Sequence, residues 1–338
     1  MLTSRGCRDP HHVRRLEVTV ITGTPEQLLE RARDGSRAAL ARLITYVEGA
    51  GDRHRETASL VYSSHAPYVI GLTGAPGAGK STLTDRLITV ALRESFAQRP
   101  VFTHVAVVCV DPSSPFTGGA LLGDRYRMQG HATDERVYIR SLATRGHLGG
   151  LSMAVPDAVR VLGAVGFELV IVETVGVGQM EVDVASMADT TVVVLTPGWG
   201  DAVQAEKAGI LEVADVFVIN KADRAGATQT RRDLERMMDM GPAGPWRPPI
   251  VDTVASDGTG VDELWSALGR HHDFLLEEGG DERRRRRAAH ELDRVLSALL
   301  SERVRTGESA QRYEEQLDEL VAGRTDPYRA ARALLFEG

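Results

Sequence analysis

An eight-residue run beginning at Gly74 has the composition and spacing of a phosphate-binding loop. Residues Gly74, Ala75, Pro76, Gly77, Ala78, Gly79, Lys80 and Ser81 fit the pattern G-x-x-x-x-G-K-[ST]. They follow a predicted strand and precede a helical segment that opens with Thr82, the last nucleotide contact we predict in this run. The glycines let backbone N–H groups surround phosphate oxygens at the positive end of the helix. We expect Lys80 to reach the β- and γ-phosphates and the Ser81 hydroxyl to ligate Mg²⁺.

A second polar run, Asn220-Lys221-Ala222-Asp223, fits the pattern N-K-x-D at the end of a predicted strand. Nucleotides bind at this end of the strands in parallel α/β sheets. The Asp223 carboxylate is suited to accept hydrogen bonds from the ring N–H and the exocyclic amine of guanine. At that edge adenine offers neither, and would leave the carboxylate unpaired. We expect Asn220 to tie this loop to the phosphate loop and Lys221 to lie along the base, so the predicted ligands are GTP and GDP.

A third loop follows the next predicted strand and contains Val254, Ala255 and Ser256. Its position in the sheet would let the backbone N–H groups of Ala255 and Ser256 face the guanine oxygen. We therefore include both residues among the predicted nucleotide contacts.

Acidic residues at strand ends are the candidate ligands of Mg²⁺, which prefers hard oxygen donors. Asp111 follows the predicted strand 105–110, and Glu173 follows the predicted strand 169–172. The run Glu173-Thr174-Val175-Gly176 has the spacing of a D-x-x-G switch with Glu in place of Asp. Gly176 would bring its N–H to the γ-phosphate.

Two glycine-bearing stretches are predicted to be mobile loops, namely residues 111–119 and residues 197–201. Loops that tighten around a γ-phosphate and relax after its loss transmit the nucleotide state. Trp199 lies between Gly198 and Gly200 in the second stretch. Two interpretations of Trp199 stay open, a contact with a partner protein and an aromatic side chain that caps the core.

The elements that position these residues form an α/β pattern. Short β-branched runs alternate with helical segments from Tyr68 onward, which predicts a mainly parallel central sheet flanked by helices. The strands predicted are 68–73, 105–110, 137–139, 169–172, 191–195, 216–219 and 249–254. The predicted fold is a P-loop NTPase.

Four regions are predicted along the 338 residues. A disordered leader over 1–23 precedes an N-terminal helical extension over 24–60, which opens with a Thr24–Gln27 capping box. The GTPase domain covers 61–275, and a helical arm covers 276–338. Since one face of the arm is apolar, it is predicted to pack on the main domain or on a second subunit, and we favour the second subunit.

Composition excludes several classes of protein. The net charge is −7, which argues against nucleic acid as a partner. Two cysteines, Cys7 and Cys109, are too few for a disulfide framework. No apolar stretch approaches the ~20 residues of a membrane span, and no secretory signal is evident. The expected location is the cytoplasm, without membrane contact.

Taken together, these motifs resemble the MeaB/ArgK family of chaperone GTPases, formerly described as LAO/AO transport system kinases. The resemblance covers about residues 24–335. Beyond the two nucleotide motifs, it is carried by the segments at 110–119, 122–125, 145–150 and 173–179.

The resemblance implies a P-loop NTPase of the SIMIBI class that attends an adenosylcobalamin-dependent acyl-CoA mutase, typically methylmalonyl-CoA mutase. It implies that Asp111, Asp124 and Glu173 surround Mg²⁺ and the γ-phosphate. It also implies a homodimer through the helical arm and an additional switch that faces the mutase. The predicted residues of that switch are Gly198, Trp199, Gly200, Asp201 and Gln204.

The water-positioning residue is not evident, because no Gln directly follows Gly176; Gln179 and Asp111 are the candidates. We therefore expect slow intrinsic GTP hydrolysis that a partner stimulates. The alternative is an ATP- or GTP-dependent kinase of a transport-system protein. A nickel- or cobalt-inserting GTPase is disfavoured because Cys/His clusters are lacking, and a non-hydrolysing scaffold is disfavoured by Lys80 and Ser81.

Overall fold

The computed structural model describes residues 21–49, 51–111, 128–131, 133–143, 154–174, 184–198, 212–241 and 244–336. The predicted leader lies outside these residues except for its last three positions.

Seven strands form one sheet within the described residues, and every neighbouring pair is parallel. The strands are β1 (Tyr68–Thr73), β2 (Val105–Asp111), β3 (Val137–Ala143), β4 (Leu169–Thr174), β5 (Thr190–Leu195), β6 (Val216–Asn220) and β7 (Ile250–Thr253). Their order across the sheet is β3-β2-β4-β1-β5-β6-β7. The predicted parallel α/β fold is therefore confirmed. The phosphate loop follows the central strand β1, and Asn220 ends β6 on the same edge of the sheet.

Two helices cover one face of the sheet, α4 (Lys80–Ala91) and α7 (Val261–Phe274). Leu83 and Leu87 of α4 are fully buried and belong to the same apolar cluster as Leu264 of α7 and Ile70 of β1. This packing fixes α4, whose first residue is Lys80, directly after the phosphate loop.

The N-terminal helices cover the other face together with α5 (Ala154–Val165). They are α1 (Pro25–Arg33), α2 (Arg37–Glu48) and α3 (Asp52–Tyr62). The capping box is present, since Thr24 Oγ1 accepts from the Gln27 N–H and Gln27 Oε1 accepts from the Thr24 N–H. The buried apolar side chains of α1 and α2 share one cluster with Val108 of β2 and Val170 of β4. The extension is therefore a layer of the main body.

Helix α6 (Ala227–Met240) follows the Asn220 loop and packs on β6 through the buried Leu234. Beyond α7, a π-helical turn (Leu275–Gly279) leads into α8 (Gly280–Arg305), α9 (Glu308–Val321) and α10 (Pro327–Phe336). No described helix is long and apolar enough to cross a membrane.

Helix α8 is fastened to the amino ends of β5 and β6 by two ion pairs. Arg283 donates twice to Asp215, at 2.8 and 2.7 Å, and Arg287 donates to Asp189 at 2.5 Å. Burial raises the pKa of Asp215, but hydrogen bonds from His271 and Arg283 outweigh it and leave this pKa below its ordinary value. The carboxylate therefore stays ionised and holds the start of α8 against the sheet.

Candidate functional site

The phosphate loop depends on glycine at two positions. Gly74 has a φ of +138°, and a Cβ there would lie 2.1 Å from the carbonyl oxygen of Val194. Gly79 has a φ of +94°, and a Cβ there would lie 2.2 Å from Asn220 Nδ2. Residues with a side chain rarely adopt such φ values, and a Cβ at either position would lie far inside van der Waals distance of its neighbour. The loop is therefore closed against β5 on one side and the Asn220 loop on the other.

Lys80 is the first residue of α4 and is 6% exposed. Its ammonium group donates to the carbonyl oxygens of Gly74 at 2.6 Å and Ala75 at 3.0 Å, so its charge is held at the loop. The N-cap residue of α4 is Gly79, which has no side chain to cap the first N–H groups of the helix. An ammonium group beside a helix N-terminus is an arrangement that binds phosphate.

Glu173 and Ser81, the two predicted Mg²⁺ ligands, meet at the adjoining strand end. Ser81 Oγ donates to Glu173 Oε1 at 2.6 Å, and Thr84 Oγ1 donates to Glu173 Oε2 at 3.1 Å. All three side chains are buried. Sequence reasoning missed Thr84; its signal is the spacing of three residues from Ser81, which places both hydroxyls on one face of α4. These hard oxygen donors suit Mg²⁺.

Asp111 ends β2 beside this cluster, because β2 pairs with β4 in a register that sets Val110 against Thr174. Only the backbone of Asp111 is described. Seven further predicted residues lie outside the described residues, in three segments. Three are the site residues Asp124, Gly176 and Gln179, and four are the switch positions Trp199, Gly200, Asp201 and Gln204. Of the predicted switch, only Gly198 is described, and it is exposed.

Asn220 joins the phosphate loop to the loop after β7. Its Nδ2 donates to the Ala78 carbonyl at 2.7 Å, and its Oδ1 accepts from Thr253 Oγ1 at 3.1 Å and from the Ala255 N–H at 3.0 Å. The side chain is 2% exposed, so all these bonds are shielded from water. Three segments that are far apart in the sequence are thus held in one arrangement.

Lys221 and Asp223 follow on the rim of the same site. Lys221 adopts a left-handed φ of +60°, uncommon for a residue with a side chain, and its ammonium donates to the Gly77 carbonyl at 2.8 Å. Its stem therefore bridges the tetrad and the phosphate loop. Asp223 is exposed beside it, where its carboxylate is accessible to a ligand.

The expectation for Ala255 needs correction. Its N–H donates to Asn220 in this structure, so it organises the loop instead of standing open for guanine. Ser256 is exposed and stays a predicted base contact. Next to it, the Thr259 N–H donates to Asp257 at 2.9 Å and lowers the pKa of that carboxyl. The Asp257 carboxyl of this loop is therefore ionised at neutral pH.

Arg86 of α4 also contacts this loop, and sequence reasoning did not identify it. Its guanidinium donates to the carbonyl oxygens of Ala255 at 3.0 Å and Ser256 at 2.6 Å. The sequence does not distinguish an arginine that bonds to a neighbouring loop from one that only points into solvent. Its role comes only from the packing of α4 beside the loop after β7.

Three comparisons with known proteins agree with this geometry. A protein from Pyrococcus abyssi described as a GTPase is 46% identical over 318 residues, covering 92% of this chain and 96% of that protein. The fused isobutyryl-CoA mutase of Geobacillus kaustophilus is 36% identical over 266 residues, which are 74% of this chain and 24% of that protein. A crystal structure of LAO/AO transport system kinase has a TM-score of 0.66 at 26% identity, covering 94% of this chain and 98% of the other.

The profile of one protein family matches residues 40–309, which include the phosphate loop, Glu173 and the guanine tetrad. That family is described as methylmalonyl-CoA mutase-associated GTPase MeaB. The expected resemblance is thereby confirmed, and so is the activity of GTP hydrolysis. This chain belongs to the MeaB family of GTPases.

Proposed function

We propose that this GTPase is a switch that binds an adenosylcobalamin-dependent acyl-CoA mutase and gates the loading, protection or reactivation of the mutase's cofactor. The observation that carries the proposal is the fused relative, in which a region similar to 74% of this chain is part of an isobutyryl-CoA mutase. Fusion keeps two proteins at a high effective concentration, which suits partners that act together. The family's description, which names methylmalonyl-CoA mutase, supports the same class of client.

Mg²⁺ is the proposed metal of the hydrolytic step. The Ser81 hydroxyl and the Glu173 carboxylate supply hard oxygens next to the phosphate loop, with Asp111 at the adjoining strand end and Asp124 as a further candidate. Mg²⁺ supplies charge neutralisation at the β- and γ-phosphates when bound. A test independent of turnover is the affinity for GTP with and without Mg²⁺. The Mg²⁺-dependent gain should be lost in Ser81→Ala; a gain equal to that of the wild type would contradict this assignment.

Lys80 and the N-terminal N–H groups of α4 would stabilise the negative charge that develops on the transferred phosphoryl group. The attacking water would be oriented by Gln179 or Asp111. Since no described side chain supplies that role, we propose a slow intrinsic rate that the partner raises. Gly198 is exposed, and its backbone nitrogen lies 3.6 Å from where a Cβ on Gly226 would be, three residues after the tetrad. The proposed partner switch, residues 198–204, would begin there.

A homodimer through the helical arm, residues 276–338, is proposed from the exposed apolar residues of α8. Leu292, Leu296, Leu299 and Leu300 are between 45% and 59% exposed and follow a helical spacing. A second copy would cover this stripe. Leu296→Asp combined with Leu299→Asp should give a monomer in analytical ultracentrifugation. Leu276→Asp, an exposed leucine off the stripe, is the matched control. A wild-type monomer at micromolar concentration would contradict the proposal.

The client is tested with the adenosylcobalamin-dependent acyl-CoA mutases encoded in the same genome. Each mutase is mixed with the full chain carrying GDP, a non-hydrolysable GTP analogue or no nucleotide, and complexes are resolved by size-exclusion chromatography. We expect one mutase to form a nucleotide-dependent complex and to increase GTP turnover. The proposal is overturned if no mutase binds and none changes the turnover.

A further inference from the structure

Arg86 closes a ring of hydrogen bonds between the phosphate and base ends of the site. Starting on α4, the ring runs from Arg86 to the carbonyls of Ala255 and Ser256, at 3.0 and 2.6 Å. From the Ala255 N–H it passes to Asn220 at 3.0 Å. Asn220 then donates to the Ala78 carbonyl at 2.7 Å, two residues before α4 begins. One end of the ring is therefore on α4, and the other is in the phosphate loop that leads into it.

The contact between Arg86 and the Ala255 carbonyl also sets the direction of the Ser256 N–H, because both groups belong to one planar peptide. In a trans peptide the C=O of one residue and the N–H of the next lie in one plane and point in opposite directions. The described chain has no cis peptide. By holding the Ala255 carbonyl, Arg86 directs the Ser256 N–H away from α4. Within the described part of the chain, this N–H has no hydrogen-bond acceptor, although the Asp257 and Gly258 N–H groups both bond to Val254.

We propose that Arg86 is a positioning residue for guanine recognition, which holds the 255–257 loop so that the Ser256 N–H faces the guanine oxygen. The proposal rests on the binding of guanine nucleotides in the proposed function. It separates two contacts with the base. Asp223 reads the amine and ring N–H, and the loop held by Arg86 reads the oxygen.

The separation can be measured with three nucleotides. GDP carries the oxygen, the ring N–H and the amine. 6-Thio-GDP replaces the oxygen with sulfur, a weaker acceptor, and IDP lacks only the amine. The ratio of dissociation constants of 6-thio-GDP and GDP thus reports the loop contact, and the ratio of IDP and GDP reports Asp223.

In Arg86→Ala we expect GDP binding to weaken about tenfold, the effect of losing one hydrogen bond of useful strength. The ratio of the dissociation constants of 6-thio-GDP and GDP should fall toward one. The ratio of the dissociation constants of IDP and GDP should keep its wild-type value. Arg86→Lys retains the charge but lacks the guanidinium group that bonds to two carbonyls at once. Its dissociation constants should therefore lie between those of the wild type and Arg86→Ala. Arg93→Ala, which removes an exposed arginine after the same helix, should match the wild type.

Two results would overturn the inference. One is an unchanged 6-thio-GDP ratio in Arg86→Ala, which would mean that the loop keeps its donor without Arg86. The other is an equal collapse of both ratios, the mark of general damage to the site; thermal unfolding of Arg86→Ala and Arg86→Lys would show it independently. Failure of the wild-type protein to bind GDP is a different result, since it would overturn the proposed function itself.

Discussion

The two ends of strand β6 carry polar side chains that are used in different ways. Asn220 ends the strand and bonds to the phosphate loop, to the last residue of β7 and to the loop after it, which together shape the candidate nucleotide site. Asp215 directly precedes the strand and is bonded by Arg283, by His271 and by the Thr191 N–H. These partners belong to α8, α7 and β5. The carboxyl end of the sheet is organised for binding, and the amino end is organised for attachment of α8.

We expect variants at the two ends of β6 to affect different properties. Variants at the carboxyl end should change nucleotide binding and turnover with little effect on stability, because their groups face a ligand. Variants at the amino end should change stability with little effect on the nucleotide, because their groups are paired within the fold.

The largest expected effect is on turnover, in Lys80→Ala. Removing the ammonium group that would face the β- and γ-phosphates should lower kcat/KM for GTP about a thousandfold, the upper range for loss of one preorganised donor. Arg283→Ala is the control from the amino end and should retain turnover within about twofold, because a residue without ligand contacts leaves transition-state binding intact. Phosphate release under steady-state conditions measures both. Similar losses in the two variants would refute the division between the ends.

The second effect is on base preference, in Asp223→Asn. The substitution replaces one of the two carboxylate oxygens that would accept from guanine with an NH₂ donor, and it should weaken GDP binding about a hundredfold. Xanthine presents an oxygen where guanine has its amine, so XDP should bind more tightly to the variant than to the wild type. Isothermal titration with GDP and XDP measures the change. Asp257→Asn is the matched control, because the Asp257 carboxylate accepts a hydrogen bond from the Thr259 N–H within the loop. If Asp223→Asn keeps the wild-type preference for GDP over XDP, the base does not bind at Asp223.

The third effect is on stability, in Arg283→Ala. The substitution leaves the buried Asp215 carboxylate without its arginine partner. A buried ion pair broken on one side costs about 3 kcal/mol, and the partial exposure of Arg283 reduces this to about 2 kcal/mol. Urea unfolding followed by circular dichroism measures the change. Arg284→Ala removes an exposed ion pair with Asp281 and should cause no measurable change. Equal unfolding free energies for wild type and Arg283→Ala would show that α8 is not held at this point.

The smallest effect is the pH dependence of the same contact. The pKa of Asp215 is lowered in the folded chain, so its contribution is fully present above the ordinary Asp pKa of about 3.9. It is lost as the pH falls through the lowered folded value. The difference in unfolding free energy between wild type and Arg283→Ala should therefore be constant from pH 7 to pH 5 and shrink below about pH 4. A difference that grows toward acid pH would have the wrong sign for this carboxylate.

The carboxyl end was largely predictable from the sequence, because its chemistry needs particular residue types at fixed spacing. The glycines, Lys80 and Ser81 are close in the chain, and parallel topology brings the ends of β1, β4 and β6 to one edge. The meeting of Ser81 with Glu173, 92 residues apart, follows from that topology.

The amino end was not predictable in the same way. The arginines at 283–287 have the pattern of a solvated helix, and nothing in their spacing identifies Asp215 or Asp189 as partners. Arg86 is similar, since its target loop lies 169 residues away. Such contacts depend on how helices pack against the sheet, which short motifs do not encode. The use of Ala255 as an internal donor was mispredicted for the same reason.

Competition binding tests most directly whether the carboxyl end of this sheet is a guanine-specific nucleotide site. Fluorescent GDP bound to the wild-type protein is titrated with unlabelled GDP and, separately, with ADP, at one Mg²⁺ concentration. We predict that ADP displaces the probe at least about a hundredfold less well than GDP, since ADP leaves the Asp223 carboxylate unpaired. Equal displacement by ADP and GDP would contradict guanine specificity and favour the kinase alternative.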